Sequence, residues 1–235
     1  MANKYSNLEY KSNKGGFGTK INQTILDNLI SGKISNEQMN TISSIQTANQ
    51  LFGEKSNLPD ISDFMTKVAY AESLLGEGFN PESYGAFQFD LGNAKYNDLV
   101  EKALSGEETT LNRANVANEL LKNMGYGDEE GNFDILGLGL GRDKEGYINK
   151  VDDAIKDPLV NSLLARMSLA TIPDKEGNIG DLNRREQAEY WKKHWNTYAK
   201  NAKGSVGHFL GQRNALGQLL LGLSGRQSSG EWELK

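Results

Sequence analysis

Residues 72–90 read ESLLGEGFNPESYGAFQFD, and the pattern leading into this stretch decides the fold that we expect. The preceding apolar residues recur at the spacing of one helix face: Ile61, Phe64, Met65, Val68 and Leu75. Glu72 falls on the same face. Because an unpaired buried carboxylate is costly, we expect Glu72 to find a partner or to take up a proton through a raised pKa. A carboxylic acid that stays protonated near neutral pH is suited to general acid catalysis.

The segment after this helix is predicted to be a loop followed by a short strand. Gly76 is expected to end the helix, which should begin near Asp60 or Ser62. Residues 77–83 contain Gly, Asn and Pro, which disfavour regular structure. Residues 84–90 then place Phe87 and Phe89 two positions apart, as in a strand with one apolar face.

The rest of the chain is dominated by helical patterns. They cover residues 21–29, 35–52, 94–104, 111–124, 147–169 and 184–202. Asp157-Pro158 is expected to interrupt the fifth pattern, because proline lacks an amide donor and disfavours helix in the residue before it. We therefore predict a mainly α fold with a small β element beside the helix that carries Glu72.

Composition disfavours several kinds of function. The chain has 235 residues, no cysteine and two histidines, His194 and His208, which excludes thiolate metal sites and disfavours a zinc hydrolase. The acidic loop at 128–132 lacks the spacing of an EF-hand. A net charge of -5 gives no support to nucleic-acid binding. We expect no metal, no other cofactor and no nucleic-acid partner.

The apolar runs are too short for a membrane helix. The richest, residues 216–223, includes Gln218 and Gly222 and falls well short of the roughly 20 residues that a span requires. Residues 1–7 lack the apolar run of a secretory signal. We expect no membrane span and no export through a signal peptide.

Four ordered pairs within residues 72–90 resemble the lysozyme-like superfamily, in particular the soluble lytic transglycosylases and the phage virion-associated muramidases. Those proteins carry a helix ending in Glu-Ser, an Asn-Pro loop, a Gly-Ala turn, and an aliphatic or aromatic residue followed by Gln. The counterparts here are Glu72-Ser73, Asn80-Pro81, Gly85-Ala86 and Phe87-Gln88. The loop is shorter than in the family, and the second Gly that usually precedes the last pair is absent.

The resemblance implies a lysozyme-like fold and a peptidoglycan-cleaving glycosidase. Glu72 would protonate the glycosidic oxygen between two amino sugars, Ser73 would support its carboxyl, and Gln88 would offer an amide to the substrate or to Glu72. A Ser73 hydroxyl bonded to a helical carbonyl fits equally well. Tyr84 and Phe87, on the aromatic turn, are expected to contact the substrate.

Hydrolysis would need a second group to activate or stabilise water, and the separation of the two carboxyls would set the stereochemistry. Glu77, Glu82 and Asp90 are the candidates, with Asp90 preferred because it ends the short strand. If none faces Glu72, the substrate's acetamido group and C6 hydroxyl would replace water, as in a lytic transglycosylase. Glu72 would then act first as acid and afterwards as base, and both routes stay open at this point.

Residues 189–198 read EYWKKHWNTY and form the densest aromatic cluster of the chain. Flat aromatic faces bind sugar rings well. The segment also resembles the late helix of the lysozyme-like families, where an aromatic-Asn pair lines the cleft. Trp195-Asn196 would be that pair, while at least two of the four rings are expected in the core.

We expect three regions: an arm with amphipathic helices at 1–56, a lysozyme-like catalytic domain at 57–212 and a tail at 213–235. The expected function is cleavage of the MurNAc-GlcNAc bond in peptidoglycan glycan strands. The expected setting is a phage virion, as a tail or internal protein that acts in the bacterial periplasm or cell wall and contacts other phage structural proteins through its terminal segments. A holin-released endolysin fits the same features. The alternative is a non-catalytic structural or adaptor protein of a virion that keeps a lysozyme-like domain.

Overall fold

The computed structural model describes residues 34–78, 84–89, 94–127, 133–137, 154–172, 179–196 and 204–221. Contacts divide the chain into two units, one of residues 36–216 and one of residues 1–35 with 217–235. The second unit is described only at 34–35 and 217–221. The residues that form the candidate site all belong to the unit of residues 36–216.

Helices make up most of the described residues, which confirms the mainly α prediction. Those with described bounds are α1 Asn36–Ser56, α2 Ser62–Ser73, α3 Ala94–Leu104, α4 Glu108–Asn123, α5 Pro158–Thr171, α6 Arg184–Tyr190 and α7 Val206–Leu221. A 3₁₀ turn at Ile179–Asp181 precedes α6, and a π-helical turn at Trp191–Trp195 follows it. No helix within the described ranges is long and apolar enough to span a membrane. The patterns at 21–29 and 128–132 lie outside those ranges.

Helix α5 is the centre of the packing. Every side chain from Leu159 to Leu169 is buried, and the helix packs against α1, α3 and α4. It begins where predicted, because Pro158 occupies the first helical position and the Asp157 carboxylate accepts the amide protons of Leu159 and Val160 at 2.8 and 3.3 Å. The interruption at Asp157-Pro158 is confirmed.

Helix α1 lies in the same compact unit as the site, whereas the sequence predicts a boundary after residue 56. The amide of Gln38 donates to the carbonyl of Leu74 at the end of α2, at 3.1 Å. Near the start of α2, the buried Asn49 side chain accepts the amide proton of Ile61 at 3.1 Å. Helix α1 therefore contacts both ends of the helix that carries Glu72, and it also packs along α5.

Over residues 84–89, a tight turn is found where the sequence predicts a strand. A single antiparallel bridge joins Tyr84 to Phe89, and the described residues contain no strand. Gly85 and Gln88 both adopt a left-handed backbone, with φ of 68° and 51°, which interrupts an extended path between the two bridging residues. Both Phe87 and Phe89 are therefore buried without a sheet beneath them.

The end of α2 also departs from prediction. The helix stops at Ser73, and Leu74 rather than Gly76 forms the left-handed cap, with φ of 54°. Leu75 follows at φ 64° with a fully buried side chain. A left-handed leucine is strained by about 1–3 kcal/mol, and burial of the Leu75 side chain offsets that cost to a similar extent. Glu72 thus lies in the last turn of a helix that is followed directly by two left-handed residues.

Candidate active site

Glu72 is half-buried and accepts hydrogen bonds from the segment that follows α6. The indole Nε1 of Trp191 donates to Glu72 Oε1 at 2.9 Å. The amide Nδ2 of Asn196 lies 3.5 Å from the same oxygen, at the outer limit of a hydrogen bond. The carboxylate predicted to lie on the apolar face has therefore found donor partners more than a hundred residues along the chain.

The π-helical turn explains how Trp191 and Asn196 reach one carboxylate. In an α-helix of about 3.6 residues per turn, residues five apart differ by about 140° and face different sides. Here the amide of Asn196 donates to the carbonyl of Trp191 at 2.9 Å, which is the i→i+5 bond of a π-helix. The wider turn brings the two side chains to the same face of the segment.

The indole of Trp191 packs against Phe209 and lies close to Gly204. Its ring centroid lies 5.0 Å from that of Phe209 in α7, and Phe209 in turn packs near Phe64 of α2 at 6.3 Å. A Cβ at Gly204 would lie 2.4 Å from Trp191 Cη2. Trp191 is 1% exposed, so its role in the site is that of a hydrogen-bond donor and not of a stacking surface.

Trp195 and Phe87 lie in the packing that supports the site. The Trp195 ring makes edge contacts with Phe87 at 5.9 Å and with Phe89 at 5.7 Å. With 3% and 1% of their surface exposed, Trp195 and Phe87 have almost no area to present to a sugar. We therefore place both beneath the site, in contrast to the substrate contact expected from the sequence.

Asn161 of α5 fixes the turn at 84–89. Its buried side chain accepts the amide proton of Phe87 at 2.9 Å and donates to the carbonyls of Tyr84 and Ile155, both at 3.1 Å. Gly85 is required at this contact, since a Cβ there would lie 2.5 Å from the Asn161 amide. A buried amide satisfied at both ends therefore ties the turn to the central helix.

Ser73 and Gln88 use their polar groups to hold backbone. The Ser73 hydroxyl lies 2.8 Å from the carbonyl of Ala86, within donor distance, and accepts the amide proton of Gly76 at 2.8 Å. The Gln88 side chain donates to the carbonyl of Gly85 at 2.8 Å, inside its own turn. Ser73 thereby joins the end of α2 to the turn, which is a connection that the sequence does not predict.

Tyr84 is half-buried at the edge of this turn, and Lys156 Nζ lies 5.5 Å from its ring centroid. That distance is within the range of a cation-π contact. Lys156 is exposed, so this pair combines an aromatic face with a positive charge at the surface.

Of the three candidate second carboxylates, the structure describes Glu77, while Glu82 and Asp90 lie outside the described residues. Glu77 is exposed. Burial raises the pKa of the Tyr70 hydroxyl, and the negative charge of Glu77 raises it further, which places this carboxylate within electrostatic reach of Tyr70. Within the described ranges, no group of three His, Asp or Glu side chains is arranged to hold a metal ion.

The structure brings Asn196, which was predicted to line a cleft, within 3.5 Å of Glu72, and it adds Trp191 and Asn161 to the candidate site. Trp191 lies four residues before Trp195, and only the π-helical register distinguishes the ring that reaches Glu72 from the ring that does not. Asn161 carries no local signal, because a single Asn in an apolar helix does not reveal the turn that it binds.

Comparison with protein-family models, with curated proteins and with solved structures finds no match to this chain.

Proposed function

We propose that this protein is a peptidoglycan-cleaving glycosidase that uses Glu72 as its general acid on the MurNAc-GlcNAc bond. The observation that carries the proposal is the pair of N–H donors, from Trp191 and Asn196, on one oxygen of a half-buried carboxyl at a helix end. The ordered pairs between Glu72 and Gln88 that resemble the lysozyme-like families support the same assignment.

The arrangement suits an acid because it separates the roles of the two carboxyl oxygens. Oε1 accepts both N–H groups, so in the protonated state it acts as the carbonyl oxygen and the proton resides on Oε2. The position in the last turn of α2 places the group at the negative end of the helix dipole, which favours the neutral form. The two donors favour the ionised form left after proton transfer.

In the proposed reaction, the proton on Glu72 Oε2 passes to the glycosidic oxygen as the bond from that oxygen to the anomeric carbon breaks. Either water or the C6 hydroxyl of the same sugar then attacks the anomeric carbon and loses its proton to a base. With water the product is a reducing sugar, and with the C6 hydroxyl it is a 1,6-anhydro sugar. In the second route the ionised Glu72 is the base, so one carboxyl suffices.

The residues proposed to contact the glycan are Tyr84 and Asn196. Tyr84 is half-buried beside Lys156, and Asn196 is half-buried next to Glu72. Gln88, Phe87, Trp195 and Ser73 are proposed to hold the shape of the site.

The proposed setting is a bacteriophage particle, with other phage structural proteins as partners. The similarity of residues 72–90 to virion muramidases supports this, as does the net charge of -5, because an acidic enzyme is not drawn electrostatically to an anionic cell envelope. Antibody labelling of intact phage particles tests the setting independently of the chemistry.

Clearing of a purified peptidoglycan suspension tests the activity. Wild type should clear it, and Glu72→Gln, which keeps an oxygen to accept the Trp191 proton but has no acidic proton, should lose activity by about 10²–10⁴-fold. Glu119→Gln, which removes an exposed carboxylate of α4, is the matched control and should behave as wild type. If a known muramidase clears the suspension and the wild type does not, a non-catalytic virion protein replaces this proposal.

A further inference from the structure

The side chain of Asn196 has two close neighbours, Lys192 and Gly204. Lys192 Nζ lies 3.1 Å from Asn196 Oδ1 and 3.4 Å from the backbone oxygen of Asn196. A Cβ at Gly204 would lie 3.0 Å from Oδ1 and 3.2 Å from Cγ of Asn196. Lys192 and Gly204 therefore both lie close to the Asn196 side chain.

The chemistry of Lys192 determines which end of the amide faces Glu72. An ammonium group donates hydrogen bonds and accepts none, so it binds the oxygen end of an amide. With Oδ1 directed to Lys192, Nδ2 is directed to Glu72 Oε1. The reversed amide would set N–H groups against the ammonium and an oxygen against the carboxylate, and both contacts would be repulsive.

We propose that Lys192 is a positioning residue that keeps the Asn196 amide turned with its N–H group toward Glu72. The proposal concerns the site of the proposed glycosidase and rests on that function for its effect on catalysis. Lys192 itself reaches Asn196 and acts on Glu72 through it. Lys192 lies four residues before Asn196, a separation at which side chains on a helical segment are neighbours.

The first test is spectroscopic and needs no substrate. In wild type, the side-chain amide protons of Asn196 should shift with pH as Glu72 titrates, and Glu72→Gln should abolish that response. Lys192→Met should weaken the response, because the amide is free to rotate, whereas Lys192→Arg, which also only donates, should restore it. An unchanged response in Lys192→Met would overturn the proposal.

The second test measures kcat/KM on peptidoglycan across pH for the same variants. Lys192→Met should lose about tenfold, as expected for one charge-assisted hydrogen bond, and Lys192→Arg should recover most of the loss. Lys193→Met removes the same charge from the exposed neighbour and is the control for electrostatics at a distance. Equal losses in Lys192→Met and Lys193→Met would contradict a positioning role.

The two tests separate the two proposals. If the wild type cleaves no peptidoglycan but the Asn196 resonances respond as described, the proposed function fails and the role of Lys192 stands. If cleavage depends on Glu72 while Lys192→Met behaves as wild type in both tests, the function stands and the role of Lys192 fails.

Discussion

Trp191 and Asn196 bring two N–H groups to a single oxygen of Glu72, and the shorter of the two bonds comes from the indole. An indole N–H only donates hydrogen bonds, so this contact favours the ionised form of the Glu72 carboxyl. The contribution of Trp191 is therefore testable by a substitution that keeps a ring and removes the donor.

Trp191→Phe should lower kcat/KM by about tenfold, because a hydrogen bond to a charged group is lost. The donor stabilises the ionised form of Glu72, so its removal should move the alkaline limb of the pH profile to higher pH. The measurement is the pH dependence of peptidoglycan cleavage. An unchanged profile in a folded variant would remove Trp191 from the site.

Gly204→Ala should reduce activity without a large loss of fold. The new methyl would meet Trp191 Cη2 at 2.4 Å and displace the indole from Glu72. Gly211→Ala in α7 is the matched control, since its Cβ would meet nothing within 4 Å and should stabilise the helix by about 0.5–1 kcal/mol. Tryptophan fluorescence and cleavage rate are measured together, and equal behaviour of the two variants would contradict the proposed packing.

At the scale of elements, the turn at 84–89 shows where reasoning from sequence reaches its limit. The period of two between Phe87 and Phe89 is real, and both rings are buried, yet they pack on Trp195 and not within a sheet. Local patterning cannot distinguish a strand from a turn that is held by Asn161, which is more than seventy residues away. The helices were predictable because their apolar spacing is repeated over several turns.

Gly85→Ala should destabilise the protein by about 2–3 kcal/mol, through left-handed strain and collision with the Asn161 amide. Gly106→Ala also carries a positive φ, of 80°, but its Cβ would meet nothing within 4 Å, so it should lose only about 1 kcal/mol. The difference between the two variants in unfolding free energy, measured by urea denaturation, gives the cost of the collision with Asn161. Equal losses of stability in the two variants would show that the Asn161 side chain can move to make room for the new methyl group.

At the scale of the whole unit of residues 36–216, the buried helix α5 connects the site to the rest of the packing. It supplies Asn161 to the turn and Arg166 to the carbonyl of Pro59, at 2.8 Å, just before α2. Burial, followed by the charge of Arg113, lowers the pKa of Arg166 to about 10. A basic group whose pKa is lower in the folded state than in the unfolded state destabilises the folded state at neutral pH. This destabilisation decreases only as the pH rises above about 10 toward the pKa of the unfolded state.

Leu163→Ala should lower the free energy of unfolding by about 2–5 kcal/mol, because Leu163 is fully buried in α5 and the change leaves a cavity. Leu104→Ala, at a side chain that is 48% exposed at the end of α3, should change it by less than about 0.5 kcal/mol. Chemical denaturation provides both values. A loss at Leu163 no larger than that at Leu104 would contradict the central place of α5.

The sequence and the described structure agree on the mainly α class and on the helix that carries Glu72. They differ where contacts between distant parts of the chain determine the structure. The amphipathic pattern of α1, for example, does not reveal that Gln38 and Asn49 bind the two ends of α2. The register of the π-helical turn was likewise not predictable, since its pattern of rings fits an ordinary helix.

Mass spectrometry of the fragments released from purified peptidoglycan by wild type and by Glu72→Gln tests whether Glu72 is the general acid. Wild type should release muropeptides that end in either a reducing or a 1,6-anhydro sugar, and Glu72→Gln should release them about 10²–10⁴-fold more slowly. Release of the same fragments at the same rate by both proteins, or no release by the wild type, would contradict the proposed role of Glu72.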